Sequence, residues 1–284
     1  MNYKESKWAM KIIELQREDG SWGNFHSMAA PTSKQPITTE QALRRLEILG
    51  YTINDKPIKK AVKYLENCFT GKSINPDRVE KLHNWKIFTE LIYSTWIRRF
   101  TLESKRANEV AKNWATIVNS AFENGKYDNE KYISSYEKIL ELKPKGGRLL
   151  DFNCFYQISL LTNCLDKKIE SCYFNYILNH ELGMYYIYDK EINKVPKAFK
   201  TKEASKYIYA IEILSEYKNK DCKNQLNHII NWLKDNMVGD NIWDLGKDLK
   251  DGVHFPLSDS WNKDEIRVND CSYRINKLIK KMET

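Results

Sequence analysis

The sequence predicts an all-α protein, and three observations carry that prediction. Apolar residues recur at three- and four-residue spacing through nearly every segment long enough to show a period, the pattern of helices with one face turned inward. Segments apolar on most sides alternate with segments carrying a single stripe, as buried helices backed by half-buried ones would. A turn with glycine and tryptophan, Gly20-Ser21-Trp22-Gly23, has a degenerate echo at Gly239-Asp240-Asn241-Ile242-Trp243, so one supersecondary unit recurs along the chain.

In order, Trp8, Ile12 and Leu15 share a face, and the amphipathic helix they define ends at Asp19-Gly20, where glycine tolerates the backbone of a turn. Trp22 gives that turn a large apolar anchor. Thr38 and Gln41 stand at capping-box spacing ahead of Ala42, Leu43, Leu46 and Leu49, and Gly50 closes this second helix. Asn54-Asp55-Lys56-Pro57 opens a third, with Asp55 as cap and Ile58, Ala61, Val62 and Leu65 inward. From Asn75-Pro76-Asp77 the pattern predicts a helical stretch in which Trp85, Phe88, Ile92 and Trp96 form one stripe and Ile87, Leu91 and Tyr93 another; a helix apolar on most sides is buried. Helices follow over 104–122 and 129–142, and Pro144, Gly146 and Gly147 end the second. Residues 151–165 are nearly uncharged and 169–180 amphipathic. Gly183 to Tyr188 reads as extended, with 189–196 returning as a short hairpin. Helices resume over 202–217, 222–237 and 264–282.

The chain has 284 residues, enough for one large core, and 1–284 is read as one domain. With 46 Lys+Arg against 38 Asp+Glu the net charge is +8, yet the lysines are scattered over helix faces rather than massed in a tract, so no nucleic-acid partner is expected. Six cysteines without a Cys-x-x-Cys pair suit free thiols in a reducing compartment, and the early charges at Lys4, Glu5, Lys7 and Lys11 exclude the apolar core of a signal peptide. No run is long enough for a transmembrane segment, and the expected location is the cytoplasm.

The order of helix, Gln16-x-x-Asp19-Gly20-Ser21-Trp22 turn, helix with a threonine-rich start, Leu49-Gly50-Tyr51 and a further helix resembles the repeat of terpenoid cyclases and protein prenyltransferase β-subunits. The match is sharp over this first part of the chain. It implies an α/α toroid in which each outer helix ends in the Gln-Trp turn, the next helix lines the inside, and about five or six pairs surround a central cavity. The irregularity in the count falls between Phe100 and Lys145. The prenyltransferases hold zinc through an aspartate and a nearby cysteine at one inner-helix start and a histidine at another. Gly147-Arg148-Leu149-Leu150-Asp151-Phe152-Asn153-Cys154 resembles the first stretch, with two residues between Asp and Cys where the family has one. Asn269-Asp270-Cys271-Ser272-Tyr273 resembles the second, with aspartate in the histidine's place. Given both departures no metal is expected, and Asp151 as a helix cap and Cys154 as a small buried residue account for the same letters. The Asp-x-Asp-Asp motif with which class II cyclases protonate an alkene is absent.

The expected function is therefore that of a toroid with an aromatic-lined cavity that binds or transforms a hydrophobic or isoprenoid-like small molecule; as an enzyme it would be a prenyltransferase- or cyclase-like transferase or lyase. The alternatives are a non-catalytic binding or interaction module that has lost catalytic residues, and a carbohydrate-active (α/α)6 barrel, which would want two carboxylates at its floor. The site is expected at the mouth formed by inner-helix N-termini, where helix dipoles favour anions, at starts such as 38–40, 77–83, 151–154 and 264–271. Candidate catalytic residues are Asp151, His254, Asp259 and Asp270; candidate ligand-binding residues are Trp96, Phe152, Cys154 and Tyr156. His254 stands out because it shares a glycine- and proline-bounded loop with Asp259 and two aromatics, and a histidine-carboxylate pair can move protons. No nucleophile elbow or glycine-rich phosphate loop occurs, so no cofactor is expected.

Overall fold

The computed structural model describes residues 2–26, 31–81, 84–145, 152–258 and 260–284. Among them the regular elements are α1 (Lys7–Glu14), α2 (Thr39–Ile48), α3 (Lys56–Phe69), α4 (Trp85–Phe100), α5 (Lys105–Ala121), α6 (Asn129–Leu140), α7 (Phe155–Leu160), α8 (Lys167–Leu178), α9 (Lys202–Leu214), α10 (Lys220–Asn224), α11 (Asn227–Asp235) and α12 (Asp264–Glu283), with short 3-10 turns at Tyr3–Glu5 and Lys247–Leu249. The protein is all-α: among the described residues, extended backbone is confined to isolated pairings.

The helices begin where local chemistry starts them. Thr38 Oγ1 accepts from the Gln41 N–H at 3.2 Å while Gln41 Oε1 accepts from the Thr38 N–H at 3.1 Å, a complete capping box that fixes the first turn of α2. Asn84 caps α4 by accepting from Ile87 N at 3.1 Å. The helix expected from Asn75-Pro76-Asp77 therefore starts later, because the Asp77 carboxylate is taken by the N–H groups of Phe25 and His26 at 2.8 and 2.9 Å. Asp55 occupies the cap position of α3 without capping it, since its oxygens bind Lys4 Nζ and the Thr52 N–H. Of the stretch 151–165, the described residues from 152 onward yield only α7, and 222–237 divides between α10 and α11. Leu15, expected on the inner stripe of the first helix, caps its end and is exposed. In place of the hairpin over 183–196, the chain turns back between Met184 and Tyr188, which pair with each other, while Tyr185 pairs with Cys154. Gly183, at φ +58°, permits that turn: a Cβ there would lie 2.1 Å from the Lys190 carbonyl oxygen.

Two turns share one set of hydrogen bonds. Trp22 Nε1 donates to the Ile12 carbonyl at 2.7 Å, the Trp22 N–H to Thr39 Oγ1 at 2.9 Å, and the Arg17 N–H to the Ser21 carbonyl at 2.8 Å. Trp243 Nε1 donates to the Leu233 carbonyl at 2.6 Å, the Trp243 N–H to Ser272 Oγ at 2.9 Å, and the Val238 N–H to the Ile242 carbonyl at 2.8 Å. Both indoles are buried, and each gives its one donor to a carbonyl in the last turn of the preceding helix, which also accepts a backbone N–H; the Trp22 N–H meets the first residue of α2, whereas the Trp243 N–H meets Ser272 in the middle of α12. Gln16 ties the first turn onward, donating from Nε2 to the carbonyls of Gly20 and Pro57 at 2.9 and 2.8 Å.

Burial separates the helices into two kinds. All of α7 is buried, and α4 and α9 bury continuous runs, Leu91 to Ile97 and Tyr207 to Ile211. Helices α1, α3, α5, α8 and α11 bury one face each. Helix α4 contacts α3, α5 and α7; α7 contacts α9, and α9 contacts α12. The two ends of the chain also meet. Arg45 of α2 donates to the carbonyls of Val253, at 3.2 Å, and Pro256, and the rings of Tyr3 and Tyr273 lie edge-on at 5.2 Å.

Candidate functional site

The first turn of α2, held by the capping box, directs Glu40 into the interior, where the residue is fully buried. Its Oε1 accepts from Tyr156 Oη of α7 at 2.9 Å, from Trp96 Nε1 of α4 at 3.3 Å and from Arg44 Nη2 one turn further along α2 at 3.3 Å. Aromatic rings cluster around Tyr156, which lies 5.9 Å from Phe88, 5.5 Å from Tyr186 and 6.3 Å from His26 between ring centroids, and His26 lies 5.1 Å from Tyr186. Burial, then the Glu40 carboxylate, pushes the Tyr156 phenol well above its ordinary range, so it remains a donor at every physiological pH.

Beneath Glu40 the interior is ionic. Arg44 lies over the rings of Phe155 and Tyr209 at 5.3 and 5.7 Å. Arg99 of α4 donates to Glu47 Oε2 at 2.8 and 3.0 Å and to Ser159 Oγ at 3.1 Å. Arg274 of α12 binds both oxygens of Glu212 of α9 at 2.6 Å, with its guanidinium 4.4 Å from the Phe255 ring centroid. Three buried guanidiniums thus carry three carboxylates across four helices, an arrangement tolerable inside a protein only because each charge is matched and hydrogen-bonded. Tyr209 sits among them. Burial raises its phenol to about 12 against the pull of Arg44 and Arg99.

The 251–261 loop is built from its acids. The Asp251 carboxylate accepts from the N–H groups of Val253, His254 and Phe255 at 2.9, 2.7 and 3.2 Å, from Ser205 Oγ at 3.2 Å, and lies 3.2 Å from His254 Nδ1. The carboxylate paired with His254 is thus one that sequence reasoning passed over, although Asp-Gly three residues ahead of a histidine is an Asx-turn signal. Asp259 lies outside the described residues. The His254 ring stacks on Tyr209 at 4.5 Å, with Nε2 buried and unbonded among the described residues. Asp270 is the second clamp. Its Oδ2 accepts from the N–H groups of Leu257 and Ser258 at 3.0 and 2.9 Å, from Ser258 Oγ at 2.6 Å and from Trp261 Nε1 at 2.8 Å.

Of the predicted ligand-binding residues, Trp96 and Tyr156 meet on Glu40. Phe152 belongs to a different aromatic cluster, 4.8 Å from Tyr132 and 5.7 Å from Tyr127, and its carbonyl accepts from Tyr173 Oη at 2.8 Å. Cys154 is buried at the N-cap of α7, where the neighbouring Asn153 carbonyl and Phe155 N–H bond to Tyr185. Asp151 lies outside the described residues. Among the described residues no three His, Cys, Asp or Glu side chains converge as a metal site would require, and no helix is long and apolar enough to cross a membrane.

The Asp251 and His254 pair makes stability pH-dependent in a defined direction. Burial lowers the His254 imidazole below its ordinary 6.5 in spite of Asp251. Burial works to raise the Asp251 carboxyl, and the bonds from His254 and the backbone outweigh it, holding that group below the usual carboxylate range. Below 6.5 the unfolded chain takes up a proton on His254 that the folded chain refuses, and below the usual carboxylate range it takes up another on Asp251; both favour unfolding as pH falls. The urea midpoint is expected to be lower at pH 5.5 than at 7.5, and His254→Asn should shrink that difference. An unchanged difference would exclude His254 as its source. Neither a protein-family model, nor a curated protein, nor a solved structure matches this chain.

Proposed function

We propose that the helices close as an α/α toroid of five pairs, and that its aromatic interior binds a hydrophobic, isoprenoid-like small molecule beside Glu40. The repeated tryptophan turn supports the toroid, as does the alternation in which α2, α4, α7, α9 and α12 lie inside and α1, α3, α5, α8 and α10 with α11 lie outside. Helix α6, packed on α5, is then the supernumerary element in the stretch 100–145. The observation that carries the binding site is the sharing of Glu40 Oε1 by Tyr156, Trp96 and Arg44 from three inner helices, with the Tyr156 ring packed against Phe88 and Tyr186. Such a site offers apolar faces to a hydrocarbon body and a few convergent polar groups to orient it.

Binding without catalysis is the version the side chains favour. Glu40, Glu47 and Glu212 each carry an arginine, and Asp270 and Asp251 are occupied in holding a loop, so none of these carboxylates is poised as an acid or a base. The test is a thermal-shift screen of prenyl alcohols, isoprenoid diphosphates, fatty acids and oligosaccharides. Prenyl compounds are expected to raise the melting temperature, and Trp96→Phe and Tyr156→Phe to weaken that effect. Stabilisation by sugars alone, or prenyl binding indifferent to both variants, would overturn the reading.

A further inference from the structure

The far end of α2 borders a second space. Glu40 stands in the first turn of that helix and Glu47 in the last, about 10 Å further along the axis at 1.5 Å per residue. There, between the closing turns of α2, α4 and α9 and the outer half of α12, lies a cavity of about 120 Å³ whose wall includes Glu47, Arg99, Tyr209, Glu212, Arg274 and Lys277. An apolar cavity of roughly 150 Å³ holds benzene, so this one suits a ligand of about six non-hydrogen atoms.

Two groups in its wall are uncommitted. Tyr209 is 2 % exposed, its hydroxyl makes no hydrogen bond among the described residues, and the residue lines the cavity. Buried hydroxyls are nearly always hydrogen-bonded, so an orphan at a cavity wall marks the place of a partner from outside the chain. The charges point the same way. Arg99 is paired with Glu47, Arg274 with Glu212 and Lys281 with Glu216, which leaves Lys277 at the rim as the cation without an ion pair among the described residues. The carbonyl ends of α2 and α9 border the same space and disfavour negative charge, so an anion of one charge is a better match to the single free cation among the described residues than a dianion. Ile48, Leu257 and Leu278 supply the apolar remainder of the wall.

We propose that this cavity is a binding site for a small monocarboxylate, whose oxygen accepts the Tyr209 hydroxyl, whose charge is balanced by Lys277, and whose short carbon body lies against Ile48, Leu257 and Leu278. It is separate from the site at Glu40 and does not depend on that reading. Calorimetric titration with acetate, butyrate, hexanoate, benzoate, butyramide and inorganic phosphate tests it. Butyrate should bind, and butyramide at least about tenfold more weakly, since only the acid gains the charge-assisted contacts. Tyr209→Phe and Lys277→Gln should each weaken the acid by about tenfold. Tyr209→Phe should leave the melting temperature of the unliganded protein unchanged or slightly higher, because the hydroxyl it removes has no partner to lose. Trp96→Phe and Tyr156→Phe should leave carboxylate binding intact, which keeps the outcome distinct from that of the Glu40 site. Equal binding of amide and acid, preference for phosphate, a Tyr209→Phe protein that binds as well as the parent, or no binding by any acid, so that the hydroxyl serves water alone, would each overturn the proposal.

Discussion

Replacing Trp22 by alanine is expected to destabilise the protein by about 3 to 5 kcal/mol, the range for removing a large aromatic side chain from a packed interior. Two effects add. The indole is 2 % exposed between α1 and α2, and its loss opens a void that the turn cannot fill, because Gly20 lies against α3: a Cβ on Gly20 would come within 2.3 Å of the Lys60 carbonyl oxygen. The Ile12 carbonyl also loses its shorter donor, at 2.7 Å, and keeps the Leu15 N–H at 3.2 Å. Trp22→Phe separates the two, keeping most of the packing while stripping the donor, and should cost about 1 to 3 kcal/mol. Equilibrium urea unfolding reads both. Because Trp243 makes the same bonds to Leu233 and Ser272, Trp243→Ala should fall in the same range. If Trp22→Ala leaves the midpoint where it was, the turn is not the joint described above.

The second large effect is expected at Asp270. In Asp270→Ala, four donors converging on one carboxylate oxygen lose their acceptor at once, two backbone N–H groups, a hydroxyl and an indole N–H, in a region where water does not replace it. Each buried donor stranded in this way typically costs about 1 to 3 kcal/mol, and because the four fail together the loss stays below their sum, at about 3 to 5 kcal/mol. Asp270→Asn keeps the shape and one acceptor, and should lose about half as much. A change in stability within about 0.5 kcal/mol would place Asp270 among ordinary surface positions and free it for another role.

What could be read from the sequence was local. The capping box at Thr38, the anchor at Trp22 and the buried stripe of α4 are all encoded within a few turns of chain, and each is present. What could not be read were choices between a near partner and a far one. Asp77 looks like a helix start, and its carboxylate instead serves the backbone of Phe25 and His26, some fifty residues earlier. Glu40 looks like an acidic residue favourable to a first turn, as the dipole would have it. Its burial follows from Trp96 and Tyr156, which only tertiary structure delivers. For His254 the sequence offered carboxylates on both sides, and the one three residues earlier is engaged because it can hold the loop backbone and the ring together.

The meeting of Arg45 with the carbonyls of Val253 and Pro256 has a kinetic consequence. Closing a loop of more than 200 residues carries an entropic penalty that grows only slowly with length, so the contact is affordable at equilibrium. It is slow to find, however, because non-local contacts reward the chain only after that penalty has been met. Until the 253–256 segment arrives, Arg45 keeps a buried side chain without the acceptors it was built for, and Tyr3 lacks Tyr273. During synthesis the first helices, which carry the Trp22 turn and the capping box of α2, must therefore wait for the last one.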